Sequence, residues 1–290
     1  MERTQNKFIA DRLREAATLL EQQGANRFRV NAYRKAAGTV EGLDHDVAGI
    51  FRTDGFLGLT ALPGIGPLIG SAIVEMIRTG QWTQLERLRG ALDPEALFSK
   101  VPGIGPRLAG RILDELHIDT LEALETAVYD GRLGKVPGFA SRRIAIVRSA
   151  LAEMLGRKRW GMRSERHEPP VKAILDVDRE YRKKADAGKL PKIAPRRFNP
   201  GNEAWLPVLH TERGLWHFTV LYSNTALAHQ LGRNRDWVII YFHTNSYAEG
   251  QRTVVTETQG SLRGRRVVRG REAECEEHYN PTLFNSSSVA

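Results

Sequence analysis

The spacing of apolar residues predicts helices in the first half of the chain and strands in the last third. Residues 5–22 form an amphipathic helical pattern, and Gly24 ends it. Seven more helical patterns lead up to residue 155, most of them introduced by an acidic cap or a proline. They start near Arg29, Asp46, Pro67, Trp82, Asp93, Pro106 and Ser141.

The pattern changes to short runs of β-branched and aromatic residues between residues 203 and 280. These runs predict strands at 205–210, 215–222, 237–242 and 253–258. A short helix is predicted between the second and third strands, and a closing helix at the end. This order indicates a small α+β domain with an antiparallel sheet.

A short phrase stands between two predicted helices and is then repeated. Leu62-Pro63-Gly64-Ile65-Gly66-Pro67 returns as Val101-Pro102-Gly103-Ile104-Gly105-Pro106, and a weaker copy is Val136-Pro137-Gly138-Phe139-Ala140-Ser141. Glycine permits left-handed backbone angles, so each phrase predicts a tight turn that opens the next helix. The turn's N–H groups and the positive end of that helix can bind an anion. We therefore predict three helix-hairpin-helix motifs, which bind backbone phosphates without reading base sequence.

The third copy has Ala140 in place of the second glycine. If that position needs a positive φ angle, alanine is strained there. The third hairpin is then structural, and otherwise it binds phosphate like the others. The sequence leaves both alternatives open.

Composition is that of an ordinary globular protein, and the charge is concentrated in one segment. The net charge is +9 in 290 residues, and residues 156–200 hold 14 basic and 6 acidic side chains. Beside phosphate-binding hairpins, this segment is expected to be a basic linker with one helix, in which Trp160 and Phe198 are available to stack on nucleic acid or to dock on the next domain. Cys275 is the single cysteine, which excludes an internal disulfide and cysteine-based metal sites. With no signal-peptide or membrane-span pattern, we expect a cytoplasmic, nucleoid-associated protein.

Residues 5–155 resemble the amino-terminal part of family X DNA polymerases, the polymerase-beta type. The matching phrases are Asn31-Ala32-Tyr33-Arg34-Lys35-Ala36-Ala37, the first Pro-Gly turn with its helix, and Thr79-Gly80 followed by an aromatic residue. The resemblance implies a lyase-like helical domain at 1–90 and a tandem helix-hairpin-helix domain at 91–155. A basic linker at 156–200 and a small α+β domain at 201–290 of unrecognised family complete the expected organisation.

The resemblance also implies candidate site residues. The hairpin turns and the basic residues after them make the phosphate-binding set: Gly64, Ile65, Gly66, Gly103, Ile104, Gly105, Arg107, Arg111, Gly138, Arg142 and Arg143. A 5′-phosphate pocket is expected from Arg29, Tyr33 and Lys35. We expect no cofactor and no metal centre, although a hairpin has room for a monovalent cation.

Two kinds of family chemistry are missing from the pattern. The lysine that forms a Schiff base in family lyase domains corresponds to Ala72, and a second helpful lysine corresponds to Leu68. Polymerase chemistry needs carboxylates that hold magnesium. Asp176 and Asp178 have the family's spacing but stand in a charged helical segment, where a helix cap with a first-turn acid is the simpler interpretation. The Gly260–Arg266 segment is interpreted as a basic turn.

Five of the eight histidines, His210, His217, His229, His243 and His278, lie in the last domain. Their spacing matches no metal-binding motif, so we expect strand-end and surface histidines.

These observations predict a sequence-nonspecific DNA-binding protein of DNA repair, without polymerase or lyase activity. Its expected partner is duplex, gapped or nicked DNA, and residues 201–290 are available for a protein partner. Two alternatives stay open: a DNA end-processing enzyme or nuclease with its active site in residues 201–290, and a scaffold whose hairpins bind protein.

Overall fold

The computed structural model describes residues 2–155, 168–244 and 249–280. The start of the expected basic linker, with Trp160, lies outside these residues. Nine α-helices precede residue 156 in the described part of the chain. They are α1 (Glu2–Gln22), α2 (Arg27–Glu41), α3 (Val47–Thr60), α4 (Pro67–Thr79), α5 (Thr83–Arg89), α6 (Pro94–Ser99), α7 (Pro106–Leu116), α8 (Leu121–Tyr129) and α9 (Ser141–Met154). A single 3₁₀ turn, Leu133–Lys135, precedes the third Pro-Gly phrase.

The described residues after 167 contain a meander of six antiparallel strands with three helices. The sheet has the order β1-β2-β3-β4-β5-β6. Its elements are α10 (Val171–Asp186), β1 (Lys192–Ile193), β2 (Leu206–Arg213), β3 (Trp216–Tyr222), α11 (Ala226–Gln230), β4 (Val238–His243), β5 (Gly250–Thr256), β6 (Arg266–Val268) and α12 (Glu272–Tyr279). The predicted fold class, an all-α helix-hairpin-helix region followed by a small α+β domain with an antiparallel sheet, is confirmed.

Three clusters of buried apolar side chains form the cores. The first joins α1–α5, from Ile9 to Leu88, and the second joins α6–α9, from Leu97 to Leu155. The third joins the sheet to α10 and α12, from Val171 to Cys275. Burial of these side chains removes apolar area from water, which is the main stabilising contribution to each unit.

Helix α10 corrects the expectation of a basic linker at 156–200. The expected helix, Asp176 to Asp186, begins at Val171 and belongs to the core of the sheet domain. Tyr181 is fully buried, donates its hydroxyl proton to Pro207 O at 2.9 Å and accepts a bond from Tyr222 N at 2.8 Å. The basic residues of this helix lie on its exposed side. The linker was predicted from this basic composition, which does not show the buried side of the helix.

The two faces of the sheet have different partners. One face carries Phe218, Val220 and Ile240 and packs against α10 in the third core. The other face is more polar and meets the helical region. There the Arg87 guanidinium of α5 stacks on the ring of Tyr241 at 3.3 Å, and the Tyr241 hydroxyl bonds Asp119. The helical region and the sheet therefore share a buried polar interface.

Candidate nucleic-acid interface

The three Pro-Gly turns have the same backbone conformation. The first glycine of each has a positive φ: 78° at Gly64, 91° at Gly103 and 101° at Gly138. The second position is extended in all three, with φ of −84° at Gly66, −93° at Gly105 and −78° at Ala140. Alanine adopts such angles without strain. The third turn therefore keeps the backbone geometry of the other two, and the strain considered for Ala140 is absent.

The middle residue fixes each turn in the core. Ile65, Ile104 and Phe139 are buried, and their N–H groups bond the residue three positions earlier, at 3.1, 3.0 and 3.2 Å. The two isoleucines were expected to contact phosphate, but their side chains and N–H groups are used inside the turn. The flanking N–H groups have no partner in the described part of the chain: those of Gly64, Gly66, Gly103, Gly105, Gly138 and Ala140. These are the groups that can bind an anion.

The second and third turns lie next to each other in a reciprocal arrangement. A Cβ placed on Gly138 would lie 2.8 Å from Leu108 Cδ2 and 3.6 Å from Arg111 Nη1, both on α7. A Cβ on Gly103 would lie 3.8 Å from Arg143 Cγ and 3.4 Å from Ile146 Cγ2, both on α9. Leu108 and Arg111 are the fifth and eighth residues after Gly103. Arg143 and Ile146 are likewise the fifth and eighth residues after Gly138. The tandem domain therefore has an approximate two-fold symmetry about these contacts.

Two of the expected phosphate ligands bond carbonyl groups of the third turn. Arg111 Nη1 donates to Pro137 O at 2.9 Å, and Arg143 Nη1 donates to Gly138 O. Arg111 belongs to α7, so its bond holds the third turn beside the second hairpin. Arg143 belongs to α9 and bonds the turn that precedes its own helix.

Four further basic side chains of the tandem domain make no ion pair and no side-chain hydrogen bond with any described residue. They are Arg107, Lys135, Arg142 and Arg148, and all four are exposed. Three of the domain's acidic residues are engaged elsewhere: Glu95 with Arg197, Asp130 with Arg132, and Asp119 with Tyr241. A domain with nearly balanced charge thus presents free cations beside two hairpin turns. Such cations are available to displace counterions from nucleic-acid phosphates.

The first turn is supported by α2. The methylene carbons of Lys35 would lie 3.0 Å from a Cβ on Gly64, and Thr39 Oγ1 donates to Pro63 O at 2.7 Å. Lys35 is exposed, so its side chain runs over the turn. Lys35 of α2 therefore places a positive charge beside the first hairpin turn.

The structure does not assemble the expected 5′-phosphate pocket from Arg29, Tyr33 and Lys35. Tyr33 is 1% exposed, and its hydroxyl donates to Gln84 Oε1 at 3.0 Å inside the first core. Arg29 instead faces the sheet, where Nη1 donates to Thr219 Oγ1 at 3.3 Å. Each of the three residues thus lies in a different environment, because the sheet domain covers this side of α2.

The residues that stand in place of the family's lyase lysine and polymerase carboxylates have structural roles in this fold. Ala72 is buried in α4. Asp176 and Asp178 lie in the middle of α10 rather than at its start, which corrects the cap interpretation. Asp178 is 1% exposed and bonds Arg266 at 2.8 Å, and Asp176 bonds Arg213 at 2.8 Å. Both carboxylates are satisfied by arginine within the fold.

Three histidines come together on the helix-facing side of the sheet, where we had expected only strand-end and surface histidines. His217 pairs across the strands with His243, and their rings stack at 5.1 Å. His210 pairs with Thr219 and bonds its Oγ1 at 3.1 Å through Nδ1. Burial, followed by the charge of Arg29, lowers the pKa of His210 to about 3 and that of His243 well below its usual value. Both are therefore neutral at pH 7.

His210 and His217, but not His243, line one wall of an open cleft of about 510 Å³ between α2 and the β2–β3 hairpin. The opposite wall is the loop from Gly24 to Asn26 and the first turn of α2. The other two histidines lie elsewhere: His229 contacts Phe198 at 4.8 Å, and His278 is exposed on α12.

The sequence matches helix-hairpin-helix families over the region just described. Residues 4–82 match a helix-hairpin-helix domain family, and residues 56–117 and 95–153 each match a SAM-like helix-hairpin-helix tandem. The chain is also 30% identical over 176 residues to the DNA polymerase/3′-5′ exonuclease PolX of Bacillus subtilis strain 168. Residues 4–153 are a PolX-like helix-hairpin-helix region. The helix-hairpin-helix domains point to DNA binding.

The match to PolX covers 60% of this chain and 28% of PolX. PolX as a whole is therefore much longer than the part that this chain matches. Among the described residues, no group of three or more His, Cys, Asp or Glu side chains is arranged to hold a metal ion. No helix of the described chain is long and apolar enough to cross a lipid bilayer.

Proposed function

We propose that this protein binds the phosphate backbone of DNA without sequence preference and acts in DNA repair. The observation that carries the proposal is the pair of adjacent hairpin turns with unpartnered N–H groups and unpaired arginines beside them. Duplex, gapped and nicked DNA all offer the phosphates that such a surface binds. Association with the nucleoid in the cytoplasm follows from this proposal.

The symmetry of the tandem domain supports contact with two phosphate groups. Arg107 and Arg142 are each the fourth residue after the first glycine of their turn, so they occupy equivalent positions. Each combines with the turn's N–H groups and the positive end of α7 or α9. Such contacts fix a protein on the backbone and carry no base information. The binding is therefore expected to tolerate any DNA sequence.

A salt titration on gapped DNA tests the proposal. With fluorescence anisotropy as the readout, the logarithm of the association constant should fall with the logarithm of salt concentration with a slope steeper than about −2, because at least two or three phosphates lose counterions. A shallower slope, or no binding at low salt, would contradict it and favour the scaffold alternative. A 5′-hydroxyl duplex of the same length serves as the reference substrate.

The proposal includes no polymerase and no lyase chemistry, which the arginine-paired Asp176 and Asp178 and the amine-free helix α4 support. Borohydride treatment of the full chain with incised abasic DNA should leave no covalent adduct, since a Schiff base needs a nucleophilic amine at the site. Lys35 is the amine that runs over the first turn. An adduct that forms with the wild type and is lost in Lys35→Ala would contradict this part of the proposal.

The alternative of a DNA end-processing enzyme in residues 201–290 is supported by the histidine cleft. His217 Nδ1 lies 2.9 Å from Glu212 Oε1, a pairing that orients an imidazole. The protein partner expected for residues 201–290 has no comparable feature in its favour.

A further inference from the structure

A cavity of about 70 Å³ lies where the helical region meets the sheet domain. Arg87 of α5 and Leu92 of the loop after it form one side, and Leu221, Ile239 and Tyr241 of the sheet form the other. A buried water needs only about 10–15 Å³, and a cavity of about 150 Å³ holds a benzene molecule. The cavity is partly open to solvent. It therefore has room for about three or four non-hydrogen atoms, and a longer ligand can extend out of it.

One end of the cavity is polar and incompletely bonded. Asp119 lines it and is 7% exposed. The Tyr241 hydroxyl donates to Asp119 Oδ2, whereas Asp119 Oδ1 is buried and has no hydrogen-bond partner among the described residues. Buried polar atoms are nearly always satisfied in native proteins, so each exception calls for a water, an ion or a ligand. The carboxylate therefore has one oxygen available to a donor in the cavity.

The charges around Asp119 favour a cation. Arg87 pairs with Glu249 at 2.8 Å and also acts on Asp119, so two carboxylates share one guanidinium. The other cation of the lining, Arg197, is paired with Glu95 at 3.1 Å. Burial raises the pKa of Asp119, and the charge of Arg87 lowers it. A further cation at Oδ1 would balance the second carboxylate and favour its ionised form.

The rest of the lining is mainly apolar and is held in place by the backbone. Arg196 N donates to Gly90 O at 2.7 Å, and a Cβ on Gly90 would lie 2.5 Å from Ala194 O. Because this wall is already formed, ligand binding requires little ordering of the protein. An aliphatic chain fits such a lining, since its apolar surface leaves water there. The apolar side chains that line the cavity include Leu92, Pro94, Ile193, Leu206, Leu221 and Ile239.

We propose that this cavity binds a primary aliphatic amine, with the ammonium group on Asp119 Oδ1 and the alkyl chain along the apolar walls. An ammonium group combines three donors with a compact positive charge, which suits a single carboxylate oxygen in a small cavity. The site uses none of the hairpin turns, and the helical region and the sheet domain form it together. The ligand is a monoamine or one end of a diamine or polyamine, which present the same group.

Isothermal titration calorimetry on the full chain tests the site with four probes. n-Butylamine should bind saturably with one site per chain. Butyrate should not bind, and 1-butanol should bind at least about tenfold more weakly, because hydrogen bonds between charged groups are the stronger ones. 1,4-Diaminobutane that binds more tightly than n-butylamine identifies the end of a diamine or polyamine as the ligand. The opposite order identifies a monoamine.

Asp119→Asn should weaken n-butylamine binding about ten- to hundredfold, because it removes the charge from the acceptor. Asp44→Asn is the matched control. Asp44 is exposed, lies outside the cavity and gives the same change in net charge, so binding should stay the same.

Leu92→Trp tests the cavity independently of Asp119. Leu92 is half-buried, so we expect the fold to tolerate the larger side chain. The indole ring should take up the ligand's volume and abolish saturable binding. Thermal melting followed by circular dichroism shows whether each variant is folded, and Leu92→Trp decides the test if Asp119→Asn fails to fold.

Absence of saturable n-butylamine binding would overturn the proposal and leave water as the occupant of the cavity. Equal binding of 1-butanol, an equal loss in Asp44→Asn, or full binding by folded Leu92→Trp would overturn it as well. Amine binding should also be unchanged by glutamate at Arg107 and Arg142, and a loss there would contradict a site in the cavity. Failure of the cavity therefore leaves the hairpin proposal untouched, and the reverse also holds.

Discussion

Replacing Arg107 and Arg142 together by glutamate is expected to weaken binding to gapped DNA at least about a hundredfold at about 0.1 M salt. The two residues are equivalent in the two-fold arrangement, exposed, and without a carboxylate partner among the described residues. Each reversal removes one attraction to phosphate and adds one repulsion. The slope of log association constant against log salt should become shallower by about two, one unit for each lost phosphate contact.

The control is the double variant Lys189→Glu with Lys192→Glu. Both lysines are exposed, lie in the sheet domain after α10, and give the same change in net charge. If binding depends on local contacts at the hairpins, this variant should change the affinity by less than about threefold, since distant exposed charges are screened. Equal losses in the two double variants would show that net charge alone drives binding, and would contradict the assignment of the interface to the hairpins.

The helical half could be read from the sequence because its determinants are local. Glycine at 64, 103 and 138 is required by a positive φ in a turn, and the proline after each second glycine of the first two turns starts a helix. The sequence could not decide the φ angle at Ala140, where the backbone is extended and free of strain. It also could not assign Arg111, whose bond to the third turn depends on the packing of α7 beside that turn.

The cleft was missed for a different reason. A two-residue loop, Gly214 and Leu215, joins β2 to β3 and places Glu212 opposite His217 and His210 opposite Thr219. The strand predicted at 205–210 ended before Glu212, so this register was not among the predictions. The pairing of His217 with His243 joins strands that are separated by α11, and the approach of Arg29 joins residues 190 positions apart. Pairings over such distances depend on the whole fold, and no local pattern encodes them.

Helix α10 combines a basic exposed side with an apolar side that is buried in the core. Its exposed side carries Lys172, Arg179, Lys183 and Lys184, so the segment was interpreted as a linker from its basic character. Val171, Ile174, Leu175, Val177 and Tyr181 are buried at helical spacing. Periodicity was therefore the better guide than net charge in this segment.

Arg87→Met is expected to lower the free energy of unfolding by about 3–5 kcal/mol. Arg87 is 4% exposed, donates from Nη2 to Glu249 Oε1 at 2.8 Å, and stacks on Tyr241. Burial lowers the pKa of this guanidinium, but nearby acidic groups, Glu249 first among them, raise it by more. Arg87 therefore stays charged in the fold. Methionine fills much of the same volume but leaves the Glu249 carboxylate, with 12% of its side chain exposed, without its cation.

Arg89→Met provides the comparison within the same helix. Arg89 is 29% exposed and pairs with Glu15 and Glu86, so its loss should cost no more than about 1 kcal/mol. Chemical denaturation followed by tryptophan fluorescence measures both variants, since Trp82 reports on the helical region and Trp237 on the sheet domain. Equal effects of the two substitutions would contradict a special contribution of the buried pair.

The double variant of Arg87→Met with Glu249→Gln separates the two causes of instability. If the cost in Arg87→Met comes mainly from the unpaired carboxylate, neutralising Glu249 should recover part of the lost stability. If it comes from lost packing on Tyr241, the double variant should be no more stable than the single one. Recovery would show that the unpaired Glu249 carboxylate, at the contact between α5 and the sheet domain, accounts for part of the lost stability.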